Sequence, residues 1–404
     1  MKKEISEQAD VSTDVVRKPQ EVEERRLPVG IGGVELKKDR KTLPAIEVAN
    51  EVSWVNNKMN LPFNLKVGES SRLGMFLTPN PQKGESTYNL EVSGSHTRSG
   101  ILGRVIFSDK EGRLYRDIDL KGTGYVIGDY YRGVKKVGPI VESHDRISGG
   151  SSFSSFKGTT GIVNEELIRR DINFSEKFLK AGIRTHRVIA ILELKEVIDN
   201  NGNKISIAEA KKIGILSEKD EPVIEVRAFG VRSRIHDVID DLRGRDFLRA
   251  YKSSRLLSDA KNIVAQELNI EPDKFTNNDY FDWLIITTAI NMARMHYNKW
   301  VNGYVTAHNL TLDGRIVDLD SVETIAEHER RQKGDIGKSK SFEDDQFSAS
   351  DALEQLIRLF RRETQEEYSF GGAMKIEDPQ SYFNNEYNAE LVRLTTQKVR
   401  RVRN

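Results

Sequence analysis

An asparagine and an aspartate nine residues apart, Asn309 and Asp318, flank an Asp313-Gly314 turn between two short apolar runs, Leu310 to Leu312 and Ile316 to Val317. This pattern predicts a hairpin. Its mouth brings an amide oxygen and a carboxylate to one point, an oxygen-rich corner suited to Mg2+ and, through the metal, to a nucleoside triphosphate. Acids beside an Asp-Gly turn also occur on plain solvated hairpins, so the upstream residues carry the decision.

Upstream, the cations stand where phosphate chemistry would need them. Gly100 and Gly103 lead into Arg104-Val105-Ile106-Phe107, a turn follows over Ser108 to Gly112, and Leu114 to Leu120 runs into Lys121-Gly122-Thr123-Gly124. A glycine-bearing hairpin covers phosphates while a Lys on the next strand reaches them. Any tight turn needs glycine equally, and an edge-strand Lys is ordinarily solvated. Asn164-Glu165-Glu166 opens a helix that stops at Gly182. Its Asp171 or Glu176 can pair with Lys121, or both can lie on the wet face. Arg227 and Arg234, seven apart, converge on one anion if the chain bends at Gly230, and Arg is the side chain for forked phosphate contacts.

The elements that must position these groups divide the chain in two. Residues 1–26 carry many charges and few large apolar side chains and read as a flexible tail. From Leu27 to about Gly230 short alternating runs and turn clusters give a β-rich lobe, with a Ser/Gly-rich loop at 145–160. From residue 231 the pattern turns helical: Leu256, Ala260 and Val264 share one face, and Tyr280 to Trp300 is a long helix leading into the Asn309/Asp318 hairpin. A charged linker over about 327–347 and C-terminal helices follow. The expected fold class is α+β, a bilobal protein-kinase-like fold with a β-rich N-lobe and an α-rich C-lobe.

Composition excludes several classes. The 404 residues hold 63 Lys and Arg against 62 Asp and Glu, so no global field favours nucleic acid or an anionic membrane. Trp283 to Ile290 is the longest apolar stretch, far short of a span. With no Cys, the chain has no disulfides, thiolate metal sites or thiol nucleophiles, which fits a cytoplasmic setting.

Taken together, these segments resemble selenoprotein O, a family of pseudokinase-like protein adenylyltransferases. Leu120-Lys121-Gly122-Thr123-Gly124 is similar to the family's LKGAG block. Arg170-Asp171 through Ser175-Glu176 and on to Arg187 is similar to its REFLCSEAM…LGIPTTR segment. Arg227 through Arg234 is similar to its RVAxSHIR stretch, and Thr306 to Leu310 with Val317 to Asp320 to its NTDNM…IDYG block. Gly103-Arg104 matches a glycine-arginine pair ahead of the first hairpin strand. The likeness runs over roughly residues 94–323.

The resemblance implies that Gly103, Arg104, Lys121, Arg227 and Arg234 hold ATP and that Asn309 and Asp318 bind Mg2+ or Mn2+. It further implies AMP transfer to a Ser, Thr or Tyr hydroxyl of a protein acceptor, with ATP inverted relative to ordinary kinases. Departures from the pattern bear on catalysis. Asp171 is shorter than the family's Glu, His308 replaces its presumed base Asp, Asp320 replaces a glycine, and the C-terminal redox cysteine is absent. A neutral His308 can accept a proton, and Asp320 is either a second metal ligand or an unrelated surface acid. The alternatives to adenylylation are a phosphotransferase of kinase-like fold and an ATP-binding pseudokinase acting as a partner-binding scaffold.

Overall fold

The computed structural model describes residues 41–124, 141–142, 161–332, 341–363 and 378–403, apart from short breaks at 79–81, 86, 94–95, 200–201, 244–246 and 304. The expected tail and the 145–160 loop lie outside the described residues. Strands β1 (Lys41–Glu47), β2 (Asn50–Val55), β3 (Met75–Leu77), β4 (Thr87–Ser93), β5 (His96–Ser108) and β6 (Leu114–Lys121) come first. They are followed by β7 (Val141–Glu142), β8 (Ile162–Asn164), helix α1 (Glu165–Lys180), β9 (Arg187–Leu194), β10 (Glu196–Ile198), β11 (Lys204–Ser206), α2 (Ile207–Lys212) and β12 (Pro222–Phe229). The second half holds α3 (Ile235–Arg243), α4 (Phe247–Glu267), α5 (Asn277–Tyr297), the short pair β13 (Trp300–Val301) and β14 (Glu323–Thr324), then α6 (Ile325–Gln332), α7 (Phe342–Glu363) and α8 (Pro379–Arg403).

The main sheet runs in the order β2-β9-β12-β6-β5-β4-β1-β3. Its two central strands set up the site. β6 and β12 pair antiparallel with Lys121 opposite Glu225 and Arg227 opposite Asp119. Because side chains alternate along a strand, Ile118, Leu120, Ile224, Val226 and Ala228 all enter the apolar core of the sheet. The other face therefore carries Asp117, Asp119, Lys121, Glu225 and Arg227, and these too are buried.

Helix α1 packs on β9 and on the turn at Leu319–Ser321. Asn164 is its N-cap residue, but the side chain is spent on Asp220 and the Glu221 amide. The far end closes as a Schellman motif, with Ile183 N–H on Phe178 O at 2.9 Å, Gly182 N–H on Leu179 O at 3.1 Å and Gly182 at φ +74°. Phe174 and Phe178 pass into the helical core, where Phe178 stacks on Trp300 at 5.4 Å. One helix thus joins both lobes.

The hairpin forms as the sequence predicts. Thr311 N–H bonds Arg315 O, Gly314 N–H bonds Thr311 O, and Leu310 bridges Ile316. Helix α5 fixes it in place: Tyr280 donates its hydroxyl to Leu312 O at 2.6 Å and Asn291 its amide to Gly314 O at 2.8 Å. The β-rich lobe, its lysine strand and cross-packed helix, and the helical lobe carrying the hairpin give the bilobal, protein-kinase-like layout expected from the sequence. The linker expected over about 327–347 differs at both ends: residues 327–332 lie in α6, because Thr324 caps that helix through Glu327 N–H and bonds the Glu327 carboxylate in return, and residues 342–347 open α7.

Candidate phosphate and metal site

Lys121, Arg227 and Arg234, singled out as phosphate cations, meet at one carboxylate, and it is the predicted metal ligand. Arg227 Nη1 reaches Asp318 Oδ1 at 2.9 Å, Arg234 Nη2 reaches Oδ2 at 2.8 Å, and Lys121 Nζ lies 3.5 Å from Oδ1. Arg234 also donates to His308 O and, at 3.4 Å, to Asn309 Oδ1, so Asn309 and Asp318 share a partner. The bend at Gly230 makes this convergence possible. A Cβ there would sit 2.1 Å from Asp313 Oδ2 and 2.8 Å from Arg315 Nη2, so glycine lets the chain lie against the hairpin.

Asp318 itself is held at φ 57° and ψ 63°, a left-handed conformation uncommon for a residue other than glycine. That backbone geometry turns the carboxylate back toward the sheet while the next residues form a single 3-10 turn, Leu319–Ser321. The turn delivers Asp320, whose Oδ2 accepts from Lys121 Nζ at 3.0 Å. Burial disfavours the Lys121 ammonium, but Asp320, Asp318 and Glu225 outweigh it, and the pKa is raised above the ordinary lysine value. Arg170, from α1, holds the same turn through Asp320 O and Val322 O.

Lys121 pairs with neither of the acids expected from α1. Asp171 faces His186, with Oδ1 and Nε2 3.0 Å apart. Glu176, one helical turn and a half farther along, is taken by Arg187 at 2.7 Å and Lys58 at 2.7 Å. The reason is positional: Asp320 arrives from the facing lobe at closer range than either acid on α1. Asp320 is therefore not a surface acid.

Gly103 and Arg104 do not join the cluster around Asp318. Gly103 lies inside β5, opposite Ile118, while the hairpin turn falls at residues 109–113 with Gly112 at φ +83°. Arg104 makes a forked pair with Glu91 at 2.8 and 3.2 Å and approaches Asp117 at 3.6 Å. His308 does lie beside Arg234. Its ring lies against His236, with centroids 3.5 Å apart and the planes tilted by 34°. Burial, His236 and Arg234 together bring its pKa down to about 4.

Several buried charges at the site were not anticipated. Asp119 forks onto Arg227 Nε and Nη2, both at 2.9 Å, and takes Arg232 Nε at 2.9 Å. Asp117 accepts from Arg116 and from the Arg232 backbone amide. Burial pushes the Asp117 carboxyl up, and Arg116 and Arg104 bring it down to about 2. Glu225 goes the other way: burial and then Asp171 raise it well above the carboxylate range. The signal was present in the alternation Asp117-x-Asp119-x-Lys121 and Glu225-x-Arg227, which reads as a solvated strand face until the facing lobe covers it.

A cleft of about 530 Å3 lies away from this cluster, lined among others by Arg113, Arg184, Glu267, Trp283 and Arg315. None of the predicted site residues borders it. No described helix is long and apolar enough to cross a membrane.

No protein-family model matches the chain, and no curated protein matches it. Among solved structures, it is similar to a Toxoplasma gondii specific rhoptry antigen kinase domain, at 10% identity and a TM-score of 0.31 over 78% of this chain and 85% of that one. It is also similar to ROP2 from Toxoplasma gondii, a virulence factor with a protein-kinase fold and no enzymatic activity. There the identity is 11% and the TM-score 0.28, over 77% of this chain and 85% of that one. At these scores the likeness carries no argument about this chain's chemistry.

Proposed function

We propose that this protein binds a magnesium–nucleotide at the Asp318 cluster and acts as a catalytically impaired, kinase-like scaffold. The observation that supports it best is the convergence of Lys121, Arg227 and Arg234 on Asp318, with Asn309 alongside. In the free protein the cations neutralise the carboxylate. A nucleotide with its metal brings both countercharges: Asn309 and Asp318 would hold the ion, and the freed cations would take the phosphate oxygens. The metal's contribution is to offset phosphate charge.

Impairment rests on His308. With a pKa brought down to about 4, the imidazole is about as basic as the aspartate it replaces, but it lacks the negative charge that would draw the acceptor proton beside the metal. The second reading, AMP transfer to a protein hydroxyl, is favoured by the same convergence, since those cations and ligands are the ones the resemblance to the adenylyltransferases requires. A phosphotransferase would use them too.

Purified protein incubated with Mg2+ or Mn2+ and ATP labelled at the α- or the γ-phosphate separates these readings. Bound ATP without label transfer supports the scaffold. Protein label from α alone, lost in Lys121→Ala and Asp318→Ala, replaces it with adenylylation. Label from γ alone replaces it with a kinase.

A further inference from the structure

Behind the Lys121 site, on the charged face of the sheet, three buried side chains bring ligand atoms close to one another. Asp171 comes from α1, His186 from the residue before β9, and Glu225 from β12. One ligand atom from each lies within 4.8 Å of the others, and all three residues are fully buried. Both Asp171 oxygens, both Glu225 oxygens and His186 Nε2 lack a hydrogen-bond partner among the described residues. Asp171 Oδ1 and His186 Nε2 are 3.0 Å apart, but the approach lies off the direction in which a ring N–H would point. Lys121 and Arg227 both act on Glu225, but the Arg227 Nε–Oε2 approach of 3.9 Å is beyond hydrogen-bonding range.

The surroundings of His186 fix which nitrogen faces the carboxylates. Thr185 spends its hydroxyl proton on Ile316 O at 2.6 Å. Its oxygen can then accept from His186 Nδ1, 3.4 Å away, in the tautomer that carries the proton on Nδ1. That tautomer leaves Nε2 with a lone pair aimed at two carboxyl groups. Stacking on Phe229, with centroids 5.4 Å apart, holds the ring in that orientation. Buried oxygens and a nitrogen lone pair facing one another unpaired are costly, and a cation removes that cost.

We propose that Asp171, His186 and Glu225 bind one divalent transition-metal cation, of the Mn2+, Fe2+ or Zn2+ class. Two carboxylates and an imidazole suit these ions rather than a thiolate-seeking one, and a donor separation up to 4.8 Å spans a sphere of about 2.0–2.4 Å radius. The outward N–H of His186 on Thr185 is the outer partner that metal-bound histidines ordinarily have. Such an ion would clamp α1 to the sheet directly behind Lys121, using an acid that the lysine leaves unclaimed. This site is separate from Asn309 and Asp318, and it stands whether or not a nucleotide binds there.

The test uses the full chain, stripped with chelator and titrated with Mn2+ alone. One equivalent of Mn2+ should remain through gel filtration and show 14N coupling from an imidazole in pulsed electron paramagnetic resonance. Binding should weaken by more than the roughly 10–100-fold that loss of an outer-shell partner costs in Glu225→Gln, a near-isosteric change, and stay unaltered in Asp318→Asn. The wild-type 14N signal decides the question even if a variant misfolds. Absence of retained metal, a bound ion without nitrogen coupling, or binding lost in Asp318→Asn and kept in Glu225→Gln would each overturn the proposal.

Discussion

Lys121 Nζ donates to Asp320 Oδ2 at 3.0 Å across 199 positions of chain, tying the central strand of the sheet to the turn that follows the hairpin. Both side chains are almost fully buried, so the pair is a joint between the lobes rather than a surface ion pair. Removing Asp320 leaves the buried Lys121 ammonium without its shortest pair, with Asp318 Oδ1 at 3.5 Å. Asp320→Ala is expected to destabilise the protein by about 3–5 kcal/mol in urea unfolding, and Lys121→Met with Asp320→Leu together by less than the sum of the single changes. Additive losses would show that the two groups act independently.

Arg227 divides its guanidinium between Asp119 and Asp318, and a lysine cannot reproduce that fork. Arg227→Lys should cost about 2–3 kcal/mol of stability, near the range for hydrogen bonds to charged groups. It should also weaken nucleotide binding more than a change at Arg104, which is committed to Glu91. Equal effects of Arg227→Lys and Arg104→Lys on nucleotide affinity would argue against the Asp318 cluster as the phosphate site.

Gly230 is required by close approach, not by its backbone angles. Since an added methyl carbon would fall 2.1 Å from Asp313 Oδ2, Gly230→Ala must push the hairpin away, at a cost of about 1–3 kcal/mol. The melting temperature should fall. No change in melting temperature would mean the bend relaxes freely.

The depressed His308 makes stability fall in mild acid. Its folded pKa of about 4 lies below the ordinary 6.5, so between these values the unfolded chain binds the extra proton. Stability attributable to this group is complete above about pH 6.5 and is lost progressively as the pH falls toward 4. The ring is only partly buried, which limits the effect. Comparing wild type with His308→Gln from pH 7 to 4 by denaturant unfolding should show a steeper decline in the wild type; parallel profiles would remove His308 from the account.

The hairpin at Asp313-Gly314, the helix opening at Asn164 and closing at Gly182, and the convergence of Arg227 and Arg234 across Gly230 follow from local chemistry and spacing, and each is present. The partner of Lys121 was not legible. Asp320 wins over Asp171 and Glu176 because a left-handed residue at 318 swings the following turn against the sheet, and nothing in the local sequence marks that turn. Gly103-Arg104 differs for the converse reason: the glycine reads as a turn, yet it lies within β5, whose register with β6 shifts on either side of the two residues. The buried face carrying Asp119 and Glu225 has the alternation of a solvated strand, and only the facing lobe makes it interior.

The cations gathered on Asp318 are expected to exchange that carboxylate for nucleotide phosphates when a metal arrives. The most direct measurement is thermal unfolding of the full chain with ATP, with and without Mg2+, beside Asp318→Asn and Lys121→Met. Binding at 100 times the dissociation constant adds about 2.7 kcal/mol of stability, so the melting temperature should rise by several degrees with Mg2+ and ATP together. It should rise little with ATP alone and not at all in either variant. An unchanged melting temperature at millimolar ATP with Mg2+, or an equal rise in Asp318→Asn, would contradict the account and leave the cluster as a structural joint between the lobes.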